Sequence, residues 1–313
     1  MKKTNMIKML DFSKIKTISI KQRRNKVKLK DFIKPENSKI LLDSIELNEL
    51  ADITTNAAIR NRQIILMMGA HVIKTGMSLL IIDLMKKGII KHIAMNGAGP
   101  IHDFELALIG ETSEYVEQTI EDGTFGMIEE TGKILNEAIK EGAKNNYGYG
   151  YSIGKKINDL NLPNKEYSIL YNAYELNIPV TVHVAIGTDI IHQHPSCDGA
   201  AIGKTSYQDF KVFAESVSRL EEGVILNIGC AVILPEVFLK ALTIARNLGY
   251  KVEKITAANF DMNNHYRPRE NVVTRPTSLG GRGFIIIERH EKTIPTLHRL
   301  LLNGINKDKF QEK

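Results

Sequence analysis

Ile93-Ala94-Met95-Asn96-Gly97-Ala98-Gly99-Pro100-Ile101-His102-Asp103 carries an apolar, strand-like run into small residues and then into a histidine–aspartate pair. Small residues at a strand end let another molecule approach the backbone. The pair is expected to open a helix-like segment, Phe104 to Gly110. A helix start at such a place offers free N–H donors and a dipole that favours anions. Imidazole and carboxylate add proton chemistry at the same spot.

The same grammar extends outward. Gln63–Met68 is a short apolar run closed by Gly69-Ala70, which reads as a buried strand. Ser44 onward shows helical spacing (Ile45, Leu47, Leu50, Ile53), and Leu79–Gly88 reads as a helix with a glycine stop. Further along, helical stretches at Tyr167–Leu176, Asp209–Leu220 and Val237–Leu248 alternate with apolar runs at Val180–Ile186, Val224–Ile228, Val252–Ala257 and Gly283–Glu288. Strands apolar throughout, alternating with helices, imply a mostly parallel sheet covered on both faces. The expected fold is α/β, doubly wound, one large domain over residues 41–313 preceded by a basic arm over residues 1–40. Asn145–Tyr151 is the most loop-like stretch.

Ligands of open α/β sheets lie at the carboxyl ends of strands. Here those ends are Gly69-Ala70-His71, running on to Gly76; Asn96-Gly97-Ala98-Gly99; Gly187-Thr188-Asp189; Asn227-Ile228-Gly229-Cys230-Ala231; and Thr256 to Asp261. Glycine permits close backbone approach and aspartate takes ribose hydroxyls, so the set suits a dinucleotide. Neither G-x-G-x-x-G nor G-x-x-x-x-G-K-[ST] occurs, so any such mode is non-standard.

Two other groups carry chemistry. His183, Asp189, His192, His194, Cys197 and Asp198 contain two imidazoles two residues apart, which fits either a transition-metal site or a polar substrate pocket. Cys197 reads as a nucleophile or, with no partner base, as a small loop cysteine. His265–Asn271 and Thr274–Thr277 are dense in cations, and Arg267, Arg269 and Arg275 fork onto carboxylate or phosphate or else form surface ion pairs.

The chain has 313 residues and two cysteines, too few for a disulfide framework, which fits a reducing compartment. No apolar run reaches the roughly 18–20 residues of a membrane span. Met1–Ile20 lacks the continuous apolar centre of a signal peptide, so a cytoplasmic protein is expected. Residues 1–40 hold 13 Lys/Arg against 3 Asp/Glu, a charge of +10, leaving −4 on the rest. The arm reads as a solvated lead-in, with a nucleic-acid contact or a subunit-docking arm as the functional alternatives; no aromatic residue interleaves with the basic ones, which weakens single-strand binding.

With these residues assembled, Met67 to Leu302 resembles the deoxyhypusine synthase family. The resemblance rests on the order of turns: Gly69–Gly76; Asn96-Gly97-Ala98-Gly99 with two polar residues after it; Asn177-Ile178-Pro179-Val180 entering a strand; Gly229-Cys230-Ala231-Val232; and Thr256–Asp261 leading to Arg267-Pro268-Arg269-Glu270. It implies a Rossmann-like fold, a homotetramer, NAD at strand ends and subunit interfaces, and aminobutyl transfer from spermidine through a lysine imine. The chain departs from the family at the chemistry. His102 and Asp103 stand at the paired glutamates, Gly69-Ala70-His71 at a Thr-Ser-Asn turn, and Thr274-Arg275-Pro276 at the Trp-Gly-Lys run that holds the lysine. The family's active-site histidine falls near Pro235 or Glu236. Proline forms no imine and Arg275 is always protonated.

The expectation is therefore an NAD-binding, homo-oligomeric enzyme acting on a small amine or amino-acid-like metabolite without an imine-forming lysine. His102 or His194 serves as base. Asp103 orients a histidine or binds an amine, and Arg267 and Arg275 clamp an anionic group; Glu270 of the same element is counted with the catalytic residues. The alternatives are a metal-dependent hydrolase or lyase on His183, His192 and His194, and a non-catalytic ligand-binding paralogue.

Overall fold

Most of the apolar runs form strands buried on both faces; the last, Arg282–Ile287, is an edge strand with one face largely exposed. The computed structural model describes residues 7–311, and side chains over 7–307; residues 1–6 of the basic arm and 312–313 lie outside the described residues. The strands are β1 (Asn25–Lys28), β2 (Ile64–Met68), β3 (His92–Asn96), β4 (Glu111–Glu114), β5 (Val180–His183), β6 (Val224–Ile228), β7 (Thr256–Asp261) and β8 (Arg282–Ile287). The helices are α1 (Ile45–Ile59), α2 (His71–Lys74), α3 (Ser78–Lys86), α4 (Ala98–Ile109), α5 (Val116–Thr119), α6 (Glu129–Asn145) and α7 (Tyr149–Asp159). They continue with α8 (Ile169–Glu175), α9 (Gly199–Ser218), α10 (Ile233–Asn247), α11 (Tyr266–Pro268) and α12 (His290–Gln311).

Six strands make one parallel sheet in the order β5-β3-β2-β6-β7-β8. Counted along the chain within that sheet, the order is 3-2-1-4-5-6, the Rossmann arrangement, with its crossing point between β2 and β6. Period-two alternation divides the sheet between two cores. Ile64, Leu66 and Met68 pack with Leu47, Leu80, Phe104 and Leu297, while Ile65 and Met67 pack with Phe213, Phe238 and Leu242. Helices thus cover both faces, as the apolar runs require. Among the described residues no helix is long and apolar enough to cross a membrane.

Several local expectations shift. The helix after β3 starts at Ala98 rather than Phe104, so the small residues form its first turn. Pro100 is at home there, because first-turn N–H groups have no intrahelical acceptor. The segment expected as a strand at Val252–Ala257 pairs instead over Thr256–Asp261. Asn145–Tyr151 is only a short turn, and α7 begins inside it at Tyr149. The helix expected from Asp209 starts at Gly199, because Asp198 Oδ1 accepts from the N–H groups of Ala200 and Ala201 at 2.9 and 3.0 Å.

The described basic segment is solvated over residues 7–14, as expected of a lead-in, but from Ile18 onward it packs on the fold. β1 pairs antiparallel with β4, Val27 opposite Thr112, and Ile20 and Phe32 are buried. It lies across the start of the α4–β4 unit.

Candidate functional site

The crossing point brings two turns into backbone contact. A Cβ at Gly69 would lie 2.1 Å from the carbonyl oxygen of Gly229, so only glycine lets the ends of β2 and β6 close on each other. Gly229 adopts φ +65°, and a Cβ there would meet His290 Nε2 at 2.6 Å. His290 opens α12 and is buried, with its Nδ1 unpartnered, and its ring lies 5.7 Å from that of His71. Burial, then the neighbouring His71, holds the His290 imidazole below its ordinary pKa. Asp261 closes β7 beside this point. Gly69, Ala70, His71, Gly229 and Asp261 of the expected cofactor set therefore stand along the carboxyl edge. Thr256 does not, because it opens β7 and lies at the amino edge of the sheet.

Next along that edge, β3 runs through Asn96 and Gly97 into α4. Asn96 Oδ1 accepts from Gly99 N–H at 3.3 Å and so closes the first turn. Gly97 leaves room for Asp189 here: a Cβ would lie 1.9 Å from Asp189 Oδ2 and would push that side chain away. Gly187, at φ +101°, turns the chain so that Asp189 reaches back over Gly97. Asp189 belongs less to the crossing than to a cavity of about 210 Å³ that it lines with Ala98, His102, Lys74, Glu105 and Glu114. Its Oδ2 has no hydrogen-bond partner, and burial raises the acid to about 6. His192 Nε2 lies 3.7 Å from that oxygen. Its Nδ1 accepts from the backbone N–H of Gly187 and of Asp189 at 3.1 and 3.2 Å, which fixes the proton on Nε2.

His102 points into the cavity in a defined tautomer. Thr112 Oγ1 donates to Glu105 Oε2 at 2.5 Å, so the same oxygen accepts from His102 Nδ1 at 2.8 Å. Nε2 is then left with its lone pair. Burial is the main cause that lowers His102 to about 4, so the ring is neutral near pH 7 and chemically a base. The floor is set by Arg23 of the N-terminal segment. Its guanidinium forks onto Glu105 at 2.8 and 2.6 Å, and Thr131 Oγ1 donates to Glu105 Oε1 at 2.9 Å.

Other expected residues are placed elsewhere. Asp103 faces the interior: its carboxylate accepts from Ser168 Oγ and from the N–H groups of Ile169 and Leu170 at 2.7 and 3.1 Å, anchoring the start of α8. It is withdrawn from the cavity and from proton chemistry there. His194 bonds to Ser196 Oγ at 2.7 Å under Gly132 of α6 and does not line the His102 cavity. His183 is buried, bonded to Thr181 Oγ1 at 3.0 Å and packed on Phe213. Among the described residues no three His, Cys, Asp or Glu side chains converge on a point a metal could occupy, so His183, His192 and His194 do not form the alternative metal set. Arg267 pairs with Glu236 at 3.5 Å, Glu270 with Arg269 at 3.0 Å, and Arg275 bonds to Asn271 at 2.6 Å and to the Tyr266 hydroxyl at 3.2 Å. This cluster follows β7 and leans on α10; it is separate from the His102 cavity. Burial pushes the Cys197 thiol up, away from a nucleophilic thiolate.

Arg23, Lys74, Glu105, Glu114 and His290 were not singled out from sequence. Lys74 stands within the Gly69–Gly76 turn, which is a usable signal. Arg23 and Glu105 meet across 82 residues, and nothing local announces the pair.

No protein-family model and no curated protein sequence matches the chain. Solved structures do. ArgZ, an arginine dihydrolase from the ornithine–ammonia cycle in cyanobacteria, superposes with a TM-score of 0.51 at 15% identity, over 82% of this chain and 32% of that one. AgrE, in its ternary complex with ornithine and NAD+, gives 0.51 at 13% identity, over 87% of this chain and 34% of that one. A "conserved putative LOR/SDH protein" from Methanococcus maripaludis S2 gives 0.50 at 16% identity, over 88% of this chain and 74% of that one. The likeness is one of fold. The chain spans about a third of the length of ArgZ and AgrE. A "putative deoxyhypusine synthase" from Entamoeba histolytica superposes at 0.49 with 12% identity over 82% of this chain and 87% of that one, so the family resemblance rests on the turns quoted from the sequence.

Proposed function

We propose that the protein is an NAD-binding enzyme acting on a small amine- or carboxylate-bearing metabolite. The observation that carries this reading is the 3-2-1-4-5-6 strand order with glycine turns meeting at its crossing point. Gly69, Ala70, His71, Gly229 and Asp261 would hold the dinucleotide along the edge, with Asn96 to Gly99 beside them. The unpartnered His290 Nδ1 next to this edge is a polar atom without a protein partner, as expected beside a polar ligand. The dinucleotide supplies a hydride acceptor. The chain supplies the neutral His102 as base and Asp189 as a second titratable group beside it. The AgrE complex with NAD+ supports the reading on a like fold. The resemblance to deoxyhypusine synthase supports the cofactor and, with it, a homotetramer, but not aminobutyl transfer, since Arg275 and Pro276 stand where the lysine is required.

NAD+ added to the purified protein should raise its melting temperature and bind calorimetrically with one site per chain. No shift at millimolar NAD+, together with no NAD in the supernatant of the denatured protein, overturns the reading.

A further inference from the structure

The cavity beneath the N-terminal segment has an unusual charge inventory. Arg23 and Lys74 face Glu105, Glu114 and Asp189 in one space of about 210 Å³. Arg23 and Glu105 neutralise each other through two charge-assisted hydrogen bonds. The others keep unmet polar atoms. Glu114 uses Oε1 to accept from Gly126 N–H at 3.1 Å and lies 3.9 Å from Arg23, while its Oε2 is buried with no partner. Asp189 Oδ2 is likewise buried and unpartnered. Lys74 is half-buried and forms no ion pair among the described residues. Burying a charged group without a partner is costly, and an unpaired donor and two unpaired acceptors around one space are complementary to a ligand bearing the opposite set.

We infer that this cavity is the substrate site and that it takes a small diamino carboxylic acid, its carboxylate on Lys74 and its two ammonium groups on Glu114 and Asp189. The charge balance selects the class. Two cations against three carboxylates leave one negative charge, which a ligand with two ammonium groups and one carboxylate neutralises; a simple amino acid does not, and a diamine leaves Lys74 unmatched. Burial raises both Glu114 and Asp189, and for Glu114 it outweighs the lowering by Arg23 at 3.9 Å. His102, with its free Nε2, lines the same space and would face a bound amine or its neighbouring carbon. The inference deepens the proposed function and rests on it for the role of this ligand as substrate, though not for its binding.

The test is calorimetry on the full chain without NAD, using L-ornithine and L-lysine, with putrescine and L-norvaline as probes that lack the carboxylate or the side-chain amine. A diamino acid should bind at least about tenfold more tightly than either probe, the worth of one charged hydrogen bond. Lys74→Met and Glu114→Gln should each weaken it by about tenfold or more. Lys74 has no protein partner to lose, so its variant reports on the ligand rather than on folding. No diamino-acid heat at millimolar concentration overturns the inference, as does putrescine or norvaline binding equally well, or affinity unmoved by both variants. NAD+ binding to the wild type, measured separately, decides the cofactor reading whatever this experiment gives.

Discussion

Arg23 of the N-terminal segment forks onto Glu105 of α4, with side-chain exposures of 3% and 1%, so the basic stretch of the sequence is tied into the interior by a buried ion pair. Removing one partner strands the other's charge, which costs far more than the pair's net worth. Arg23→Ala should destabilise the fold by about 3 kcal/mol, read as a lowered denaturant midpoint. The double replacement Arg23→Met with Glu105→Met should be milder than the single change, because no charge is left buried. A single variant as stable as the wild type would contradict this placement.

Asp103 separates a structural acid from a catalytic one. Its carboxylate satisfies the hydroxyl of Ser168 and two N–H groups at the start of α8. Asp103→Ala leaves these donors buried and unmet, and should cost about 2 kcal/mol or more. In chemical denaturation the midpoint should fall, while diamino-acid and NAD+ affinities measured well below that midpoint stay at their wild-type values. Loss of affinity without loss of stability would return Asp103 to the site.

The glycines of the crossing point can be tested against a control in the same chain. Gly69→Ala drives a methyl to 2.1 Å from the Gly229 carbonyl, where only backbone can give way. The expected cost is about 2 kcal/mol, with NAD+ affinity reduced because the ends of β2 and β6 are splayed. Gly203→Ala in α9 meets nothing within 4 Å and should instead stabilise by about 0.5–1 kcal/mol. Equal effects from the two changes, followed by thermal melts with and without NAD+, would remove the argument for a built crevice.

The legible parts of this molecule are those whose burial is made of large apolar side chains. β2 and β3 announce themselves because both faces of each strand pack, so the run stays apolar from Ile64 to Met68 and from Ile93 to Met95. α6 and α7 do not. Their buried faces hold Thr131, Gly132, Asn136 and Gly142, then Gly150, Ser152 and Gly154. A Cβ at Gly150 would lie 2.1 Å from the Val180 carbonyl, so close helix–strand packing demands the residues that composition assigns to loops. β7 is hidden similarly: Asn259 sits mid-strand because Asn227 Nδ2 donates to its side-chain oxygen at 2.7 Å. The strand-end turns were readable as a set, since glycine and small residues recur there. Which of their side chains share a cavity was not, because Arg23, Lys74, His102, Glu114 and Asp189 come from five separate stretches of chain.

Asp209 gives the pH dependence a definite sign. It is buried in α9, where its Oδ2 accepts from the N–H groups of Gly150 and Val182 at 2.9 and 2.7 Å and so ties α7 to β5. Burial raises it from 3.8 to about 7, against those hydrogen bonds, which lower it. A carboxyl that holds its proton longer in the native state than in the unfolded chain stabilises the native state fully below the unfolded value. That contribution is lost as pH rises through the native value. Asp209→Asn cannot titrate. Relative to the wild type, the variant should therefore gain stability as pH rises from about 4 to about 7, by up to roughly tenfold in the unfolding constant per pH unit, and level off above. The lost acceptor strength shifts the whole difference curve without altering its slope. Urea denaturation of both proteins across this range reads the difference directly; a flat difference curve, or one falling with pH, would show that Asp209 is ionised throughout.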